Sequence, residues 1–138
     1  AVLGTYTNKC GGCDGIGQAD EICRRVRMFQ EEYSLVMLEG ILVSHTFQRY
    51  HDLAVEMEEL GEEYKFLFLD TPLKICIQRV KARRAERGKT GPFDPKNVVH
   101  DHRQIWTRTR TKMKEAGRTV IEVPYKQSWE VLQKEMEQ

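Results

Sequence analysis

Glu39 closes an apolar run, SLVMLE at residues 34–39, and is followed by Gly40. A carboxylate at the end of an apolar strand is fixed on a rigid element, where it can hold a Mg²⁺-bound water or an acceptor hydroxyl, and a following glycine leaves room for either. Asp70 repeats the arrangement after KFLFLD, but Asp70-Thr71-Pro72 also reads as a helix start, with Asp70 as the cap. Asp14 stands in the glycine-rich residues 8–15, where backbone can approach a ligand closely and a carboxylate can reach a sugar hydroxyl or a base edge. Turn chemistry alone would select the same residue types.

Cationic chemistry is concentrated further along. Arg79, Arg83 and Arg87 stand at i, i+4 and i+8, a basic stripe expected opposite the apolar residues Leu73, Cys76, Ile77 and Val80. Guanidinium groups grip phosphate oxygens in forked pairs and stay charged, so a helix running into the glycine-containing residues 88–95 could close several of them over a triphosphate. Arg24, Arg25 and Arg27 could meet a substrate phosphate in the same way, although their helix also carries Glu31 and Glu32. Residues 74–118 hold fourteen Lys and Arg against four Asp and Glu, a net of +10 that leaves −9 for the rest of the chain. Such a local field suits a nucleotide or a nucleic-acid backbone; the plainer alternative is a solvated helix face.

Other residues look functional and are not expected to be. Cys10 and Cys13 form a C-x-x-C, but zinc would want a second pair and Cys23 supplies one candidate, so free thiols are expected and zinc is disfavoured. Gly88-Lys89-Thr90 resembles the tail of a phosphate-binding loop, but Arg83 occupies the position of its first glycine and a helix precedes it. His100 and His102 are two apart on a helix and point in different directions, unlike a metal-binding i, i+4 pair.

The elements that must position these groups follow from periodicity. With 138 residues, 40% hydrophobic and 31% charged, the chain is expected to be one globular domain. It has no apolar run of membrane-spanning length and no basic-then-apolar amino terminus, so a cytoplasmic protein without membrane contact is expected. Core strands are expected at residues 1–7, 34–39, 65–70 and 119–123, with Val36, Leu38, Phe66 and Phe68 buried on neighbours. Helical spacing links Ala19, Ile22, Cys23, Val26, Phe29 and Tyr33, and again Phe47, Tyr50, Leu53, Ala54, Met57 and Leu60. A long helix from Asp94-Pro95 to Gly117 and a last one from about Ser128 complete the pattern. Alternating strands and helices imply an α/β three-layer sandwich with a mainly parallel sheet, whose ligands bind beyond the carboxyl ends of the strands. Glu39, Asp14, Arg79 and Arg83 are expected to meet on that edge.

Taken together, GTYTNKCGGCDG, VMLEG followed by ILVSHTF, FLFLDTP with ICIQRVKARRAERG, and TVIEVPY resemble a P-loop kinase-like ATPase of the kind common in phage and bacterial genomes. The resemblance spans nearly the whole chain. It implies a carboxylate role for Glu39, a lid at about residues 79–95, and an adenine-side loop at Val123, Pro124 and Tyr125. ATP and Mg²⁺ are the implied cofactors. Catalytic roles fall to Glu39, Arg79 and Arg83, substrate contacts to Asp14, Arg24 and Arg87, and a nucleoside, nucleotide or polynucleotide end is the acceptor. Such kinases begin with a strand, a glycine-rich loop and a helix, about 30 residues in all, which this sequence does not contain. The expectation is therefore that the 138-residue chain alone is inactive, and that self-association or a partner chain covers the incomplete sheet. Two alternatives stand beside it: a non-catalytic nucleic-acid-binding module built on residues 74–118, in which Phe93 and Trp106 are the only aromatic residues, and a zinc-stabilised interaction module at Cys10 and Cys13.

Overall fold

A computed structural model describes residues 1–7 and 12–138. The chain divides into two compact units, Ala1–Tyr64 and Lys65–Gln138. Cys10 lies outside the described residues, so the C-x-x-C is described only at Cys13.

The first unit is mostly helical. α1 (Ala19–Phe29) and α3 (Phe47–Glu59) form where the apolar spacing requires, and a short α2 (Ile41–His45) lies between them. Ile22, Cys23 and Val26 of α1 are buried, as are Tyr50, Leu53, Ala54 and Met57 of α3, so the i, i+3, i+4 residues of each helix form the core. Desolvation in that core pushes the Tyr50 hydroxyl up to about 12. Arg27 binds Glu56 at 2.7 and 2.9 Å and Arg49 binds Asp20, two ion pairs joining α1 to α3.

The expected strands at residues 1–7 and 34–39 shrink to a single parallel bridge, Val2 with Met37. The Leu3 amide donates to the Met37 carbonyl at 2.9 Å and the Met37 amide to the Ala1 carbonyl at 2.8 Å. Pairing stops there because Gly4 turns at φ +94°, outside the extended region. Val36 and Leu38 are only half-buried as a result.

The second unit carries the regular sheet. β1 (Lys65–Leu69) and β2 (Thr119–Val123) pair in parallel over five residues, from Lys65 opposite Thr119 to Leu69 opposite Val123. Phe68 and Val123 are buried and Phe66 half-buried, whereas Leu67 and Leu69 are exposed. The architecture is α/β with a small parallel sheet.

Helices connect the two strands. α4 (Leu73–Glu86) follows β1, and α5 (Lys96–His102) begins where Asp94 accepts the Lys96 amide at 2.9 Å. The long helix expected from residue 94 to 117 is present but widened in the middle: residues Arg103–Thr109 are π-helical, after which α6 (Arg110–Glu115) resumes. Thr109 and Met113 are its buried residues, and Gly117, at φ +76°, ends it. α7 (Ser128–Met136) closes the chain, tied to β1 by Lys65 and Glu135 at 2.9 Å. No helix among the described residues is long and apolar enough to cross a membrane.

Candidate active site

Two groups of sequence-selected residues are assembled, one in each unit. In the first unit, residues Gly12–Gly15 form a single 3₁₀ turn against the end of the 34–39 segment. The Cys13 amide donates to the Glu39 carbonyl at 2.8 Å, fixing Glu39 while its side chain stays exposed. The half-exposed Tyr6 side chain lies against the same turn, where a Cβ on Gly12 would sit 2.8 Å from its Cε2. Partial burial first, then the negative charge of Glu39, pushes the Tyr6 hydroxyl up.

Asp14 binds backbone with both of its carboxylate oxygens. Oδ2 accepts the Ile41 amide at 3.0 Å and Oδ1 the Leu42 amide at 2.9 Å, so Asp14 caps α2 from 27 residues away. Its expected substrate contact is thus replaced, in this conformation, by positioning of the turn after Glu39. Gly40 permits the approach: a Cβ there would sit 2.7 Å from Asp14 Oδ1. Cys13 is fully buried, and desolvation pushes its thiol up, the opposite of what a metal-binding thiolate needs. Arg24 makes a forked pair with Glu21 of its own helix at 2.7 and 2.8 Å, and Arg25 binds the same carboxylate at 2.8 Å. The expected phosphate contact by Arg24 therefore competes with Glu21.

The second group sits at the carboxyl ends of β1 and β2, where a parallel sheet binds ligands. Asp70 Oδ1 accepts the Tyr125 amide at 2.8 Å, and the Asp70 amide donates to the Val123 carbonyl at 2.9 Å. The expectation that Asp70 caps the following helix is corrected here. Pro72 is the cap position of α4, it receives no side-chain bond, and Asp70 instead ties the two strand ends together. Asp70, Pro124, Tyr125, Lys126 and Gln127 line an open pocket of about 240 Å³. Arg79 lies over the Tyr125 ring at 5.7 Å and Lys126 at 5.9 Å. Pro124, Tyr125 and Arg79 were selected from sequence; Lys126 and Gln127 were missed, although their place directly after the strand-end residues was the available signal.

The arginine stripe requires a correction of face. Leu73, Cys76, Ile77, Val80, Arg83 and Arg84 are all half-buried, whereas Arg79 and Arg87 are exposed. Positions 73, 76, 77, 80, 83 and 84 follow one helical row, so the apolar row turns cationic in its second half and does not face away from the arginines. Arg84 accordingly stacks on Phe93 at 5.4 Å. Arg110 lies over Trp106 at 4.3 Å, donates to its carbonyl at 2.9 Å and, with Lys114, binds Glu122. His102 meets the Thr71 carbonyl at 3.1 Å, consistent with an ordinary helix residue.

No family model and no solved structure matches the chain. Curated proteins do. A "5-hmdU DNA kinase" of Pseudomonas phage PaMx11 is 34% identical over 123 residues, covering 88% of this chain and 62% of the relative. The likeness is to a kinase family. Kinases with the same name from Bacillus phage SP10 and Pseudomonas phage M6 are 28% and 27% identical, covering 85% and 99% of this chain but 18% and 70% of their own length. The chain thus spans about three-fifths of the PaMx11 kinase and about a fifth of the SP10 kinase. ATP and Mg²⁺ are the groups that kinase chemistry ordinarily uses.

The residues present fit those groups. A single exposed carboxylate followed by glycine, as at Glu39-Gly40, suits Mg²⁺ held through water, because this ion keeps several of its waters. Tyr125, with Pro124 and the cations around it, offers an aromatic face and positive charge to an adenine nucleotide.

Proposed function

We propose that this chain belongs to a kinase that transfers the γ-phosphoryl group of ATP to 5-hmdU in DNA, and that its residues form one kinase-like domain. The observation that carries the reading is the 34% identity to a 5-hmdU DNA kinase over most of the chain, supported by candidate groups at strand ends. In the reaction the acceptor hydroxyl oxygen forms a bond to the γ-phosphorus and releases its proton to solvent, the bond to the β,γ-bridging oxygen breaks, and ADP leaves. Each unit is read by itself: in the first, Glu39 is the carboxylate for an acceptor hydroxyl or a metal-bound water, and in the second, Arg79 and Arg83 are the cations for phosphate charge. Mg²⁺, when bound, supplies further neutralisation of the phosphate oxygens. Tyr125 and Pro124 lie against the adenine, and exposed Arg87 contacts a substrate phosphate. Asp14 and Arg24 would contact substrate with the hydrogen-bonding capacity that their present partners leave.

The charge distribution favours a polymeric acceptor. Lys65–Gln138 carries a net +8 and Ala1–Tyr64 a net −7, so a DNA backbone is drawn to the second unit. The test is phosphate incorporation from ATP and Mg²⁺ into an oligonucleotide containing one 5-hmdU, beside the same oligonucleotide with thymidine, assayed on this chain and on a longer form that carries it. Incorporation only at 5-hmdU, lost in Glu39→Gln, is the expected result. Salt-sensitive DNA binding with no transfer by either form would favour a non-catalytic DNA-binding module.

A further inference from the structure

We propose that one side of α4, the row Lys74, Gln78, Lys81 and Ala85 continued by Lys89, is the surface that holds the phosphate backbone of the DNA. The inference rests on the reading of DNA as the acceptor given above and assigns the face that grips the polymer. Residues at i, i+4, i+7 and i+11 lie along one side of a helix, and these four are exposed. The half-buried Leu73, Cys76, Ile77 and Val80 lie on a different side, which leaves the lysines to solvent. Lys89, also exposed, stands just past the end of α4. There Gly88 turns at φ +68° and the Lys89 amide donates to the Arg84 carbonyl at 3.1 Å, folding the loop back on the last turn.

Which cations are already neutralised separates this row from others in the second unit. Lys65 is held by Glu135, Arg110 and Lys114 share Glu122, and Arg84 stacks on Phe93. The side chains of Lys74, Lys81 and Lys89 have no acidic partner, hydrogen bond or aromatic contact among the described residues. Glu86 is the single acidic residue of α4 and falls outside the row. From Lys74 to Ala85 the row runs about 16 Å, about five base-pair steps at 3.4 Å per phosphate of one strand, and Lys89 extends it. A strip of that length matches a run of phosphates, whereas the phosphate chain of one nucleoside triphosphate is too short to cover it. Lysines are point charges without a fork, suited to backbone contacts that fix the register of a polymer and carry no sequence information.

The test is fluorescence anisotropy of a labelled duplex carrying one 5-hmdU, beside the same duplex with thymidine, titrated with the chain over a range of salt concentrations. Lys74→Gln, Lys81→Gln and Lys89→Gln are each expected to lower the slope of log affinity against log salt by about 0.9, and the triple variant by about 2.7. Both duplexes should weaken equally, because phosphate contacts do not read the base. Lys134→Gln, exposed on α7, is the control and should leave the slope unchanged. In the longer, transfer-competent form the triple variant should raise KM for 5-hmdU DNA and keep KM for ATP within about twofold. An unchanged salt slope in the triple variant, with transfer to 5-hmdU DNA intact, overturns the surface and leaves the function standing. A raised KM for ATP with unaltered DNA binding assigns the row to the nucleotide and overturns the proposal too. If neither the chain nor its longer form binds or phosphorylates DNA, the reading of the acceptor fails and the proposal falls with it.

Discussion

Asp70, the residue after β1, accepts the backbone amide of Tyr125, the second residue after β2, at 2.8 Å. One carboxylate thereby fixes both the end of a parallel strand pair and the loop that carries an aromatic ring. The bond is charge-assisted but exposed, which places its worth at the lower end for such contacts. Asp70→Ala is expected to destabilise the chain by about 1 kcal/mol, measured by urea unfolding, and to weaken binding of an ATP analogue. Asp70→Asn, which keeps an acceptor oxygen, should recover most of the loss.

Arg79 over Tyr125 is a cation–π contact of moderate length. Arg79→Ala should cost little stability, about 0.5 kcal/mol at this exposed position. If the strand-end pocket takes the nucleotide, the same change weakens an ATP analogue about tenfold, near 1.4 kcal/mol. Isothermal titration of Arg79→Ala, Tyr125→Ala and the double variant measures the coupling. Additive losses would show that the two residues act separately.

Gly12 and Gly40 are packed too closely to accept a side chain, since a Cβ would meet the Tyr6 ring in one case and the Asp14 carboxylate in the other. Gly12→Ala is expected to cost about 2–3 kcal/mol through overpacking. Gly40→Ala should cost less, because Asp14 can swing aside at the expense of its α2 cap. Gly15→Ala is the control: its Cβ would make an ordinary contact 3.5 Å from Thr5 Oγ1. Thermal unfolding of the three variants should follow the order Gly12, Gly40, Gly15.

Glu21, held by Arg24 first and then Arg25, has its carboxyl lowered to about 2 from an ordinary 4.5. Because the folded value lies below the unfolded one, the stabilisation is fully present above about pH 4.5 and is lost as pH falls through about 2. Arg27 lowers the Glu56 carboxyl, and Lys114 first and then Arg110 lower that of Glu122, which adds to acid sensitivity in the same direction. Circular dichroism at 222 nm between pH 6 and 1.5 should show a loss of helicity in this window that is smaller in Glu21→Gln and reduced by salt, as expected for an exposed pair.

Much of the secondary structure was legible from local pattern. The apolar spacing of α1 and α3 contains their buried residues, although Tyr33 and Leu60 of the same spacing lie past the helix ends and are exposed; KFLFL and TVIEV mark the two strands, and Asp94-Pro95 and Gly117 mark the ends of the long helical segment. Each of these depends on neighbours a few residues away, which a sequence displays directly. Pro124 and Tyr125 came from the family resemblance and Arg79 from its i, i+4 spacing; the structure places Pro124 and Tyr125 directly after β2, at the carboxyl edge of the strand pair.

Tertiary structure decided the partners. Asp14 and Asp70 looked like a ligand contact and a helix cap, yet their carboxylates bind amides 27, 28 and 55 residues away. Local preference says that such a carboxylate will accept an amide, but only the path of the chain determines which one. The extended run at 34–39 likewise had the composition of a strand, and the turn at Gly4 limited its pairing to one bridge. Composition and spacing thus determined the helices, the parallel pair and the location of charge. The role of each charged residue was set by the loops that bring distant backbone within hydrogen-bonding distance, a non-local property that no short window of sequence contains.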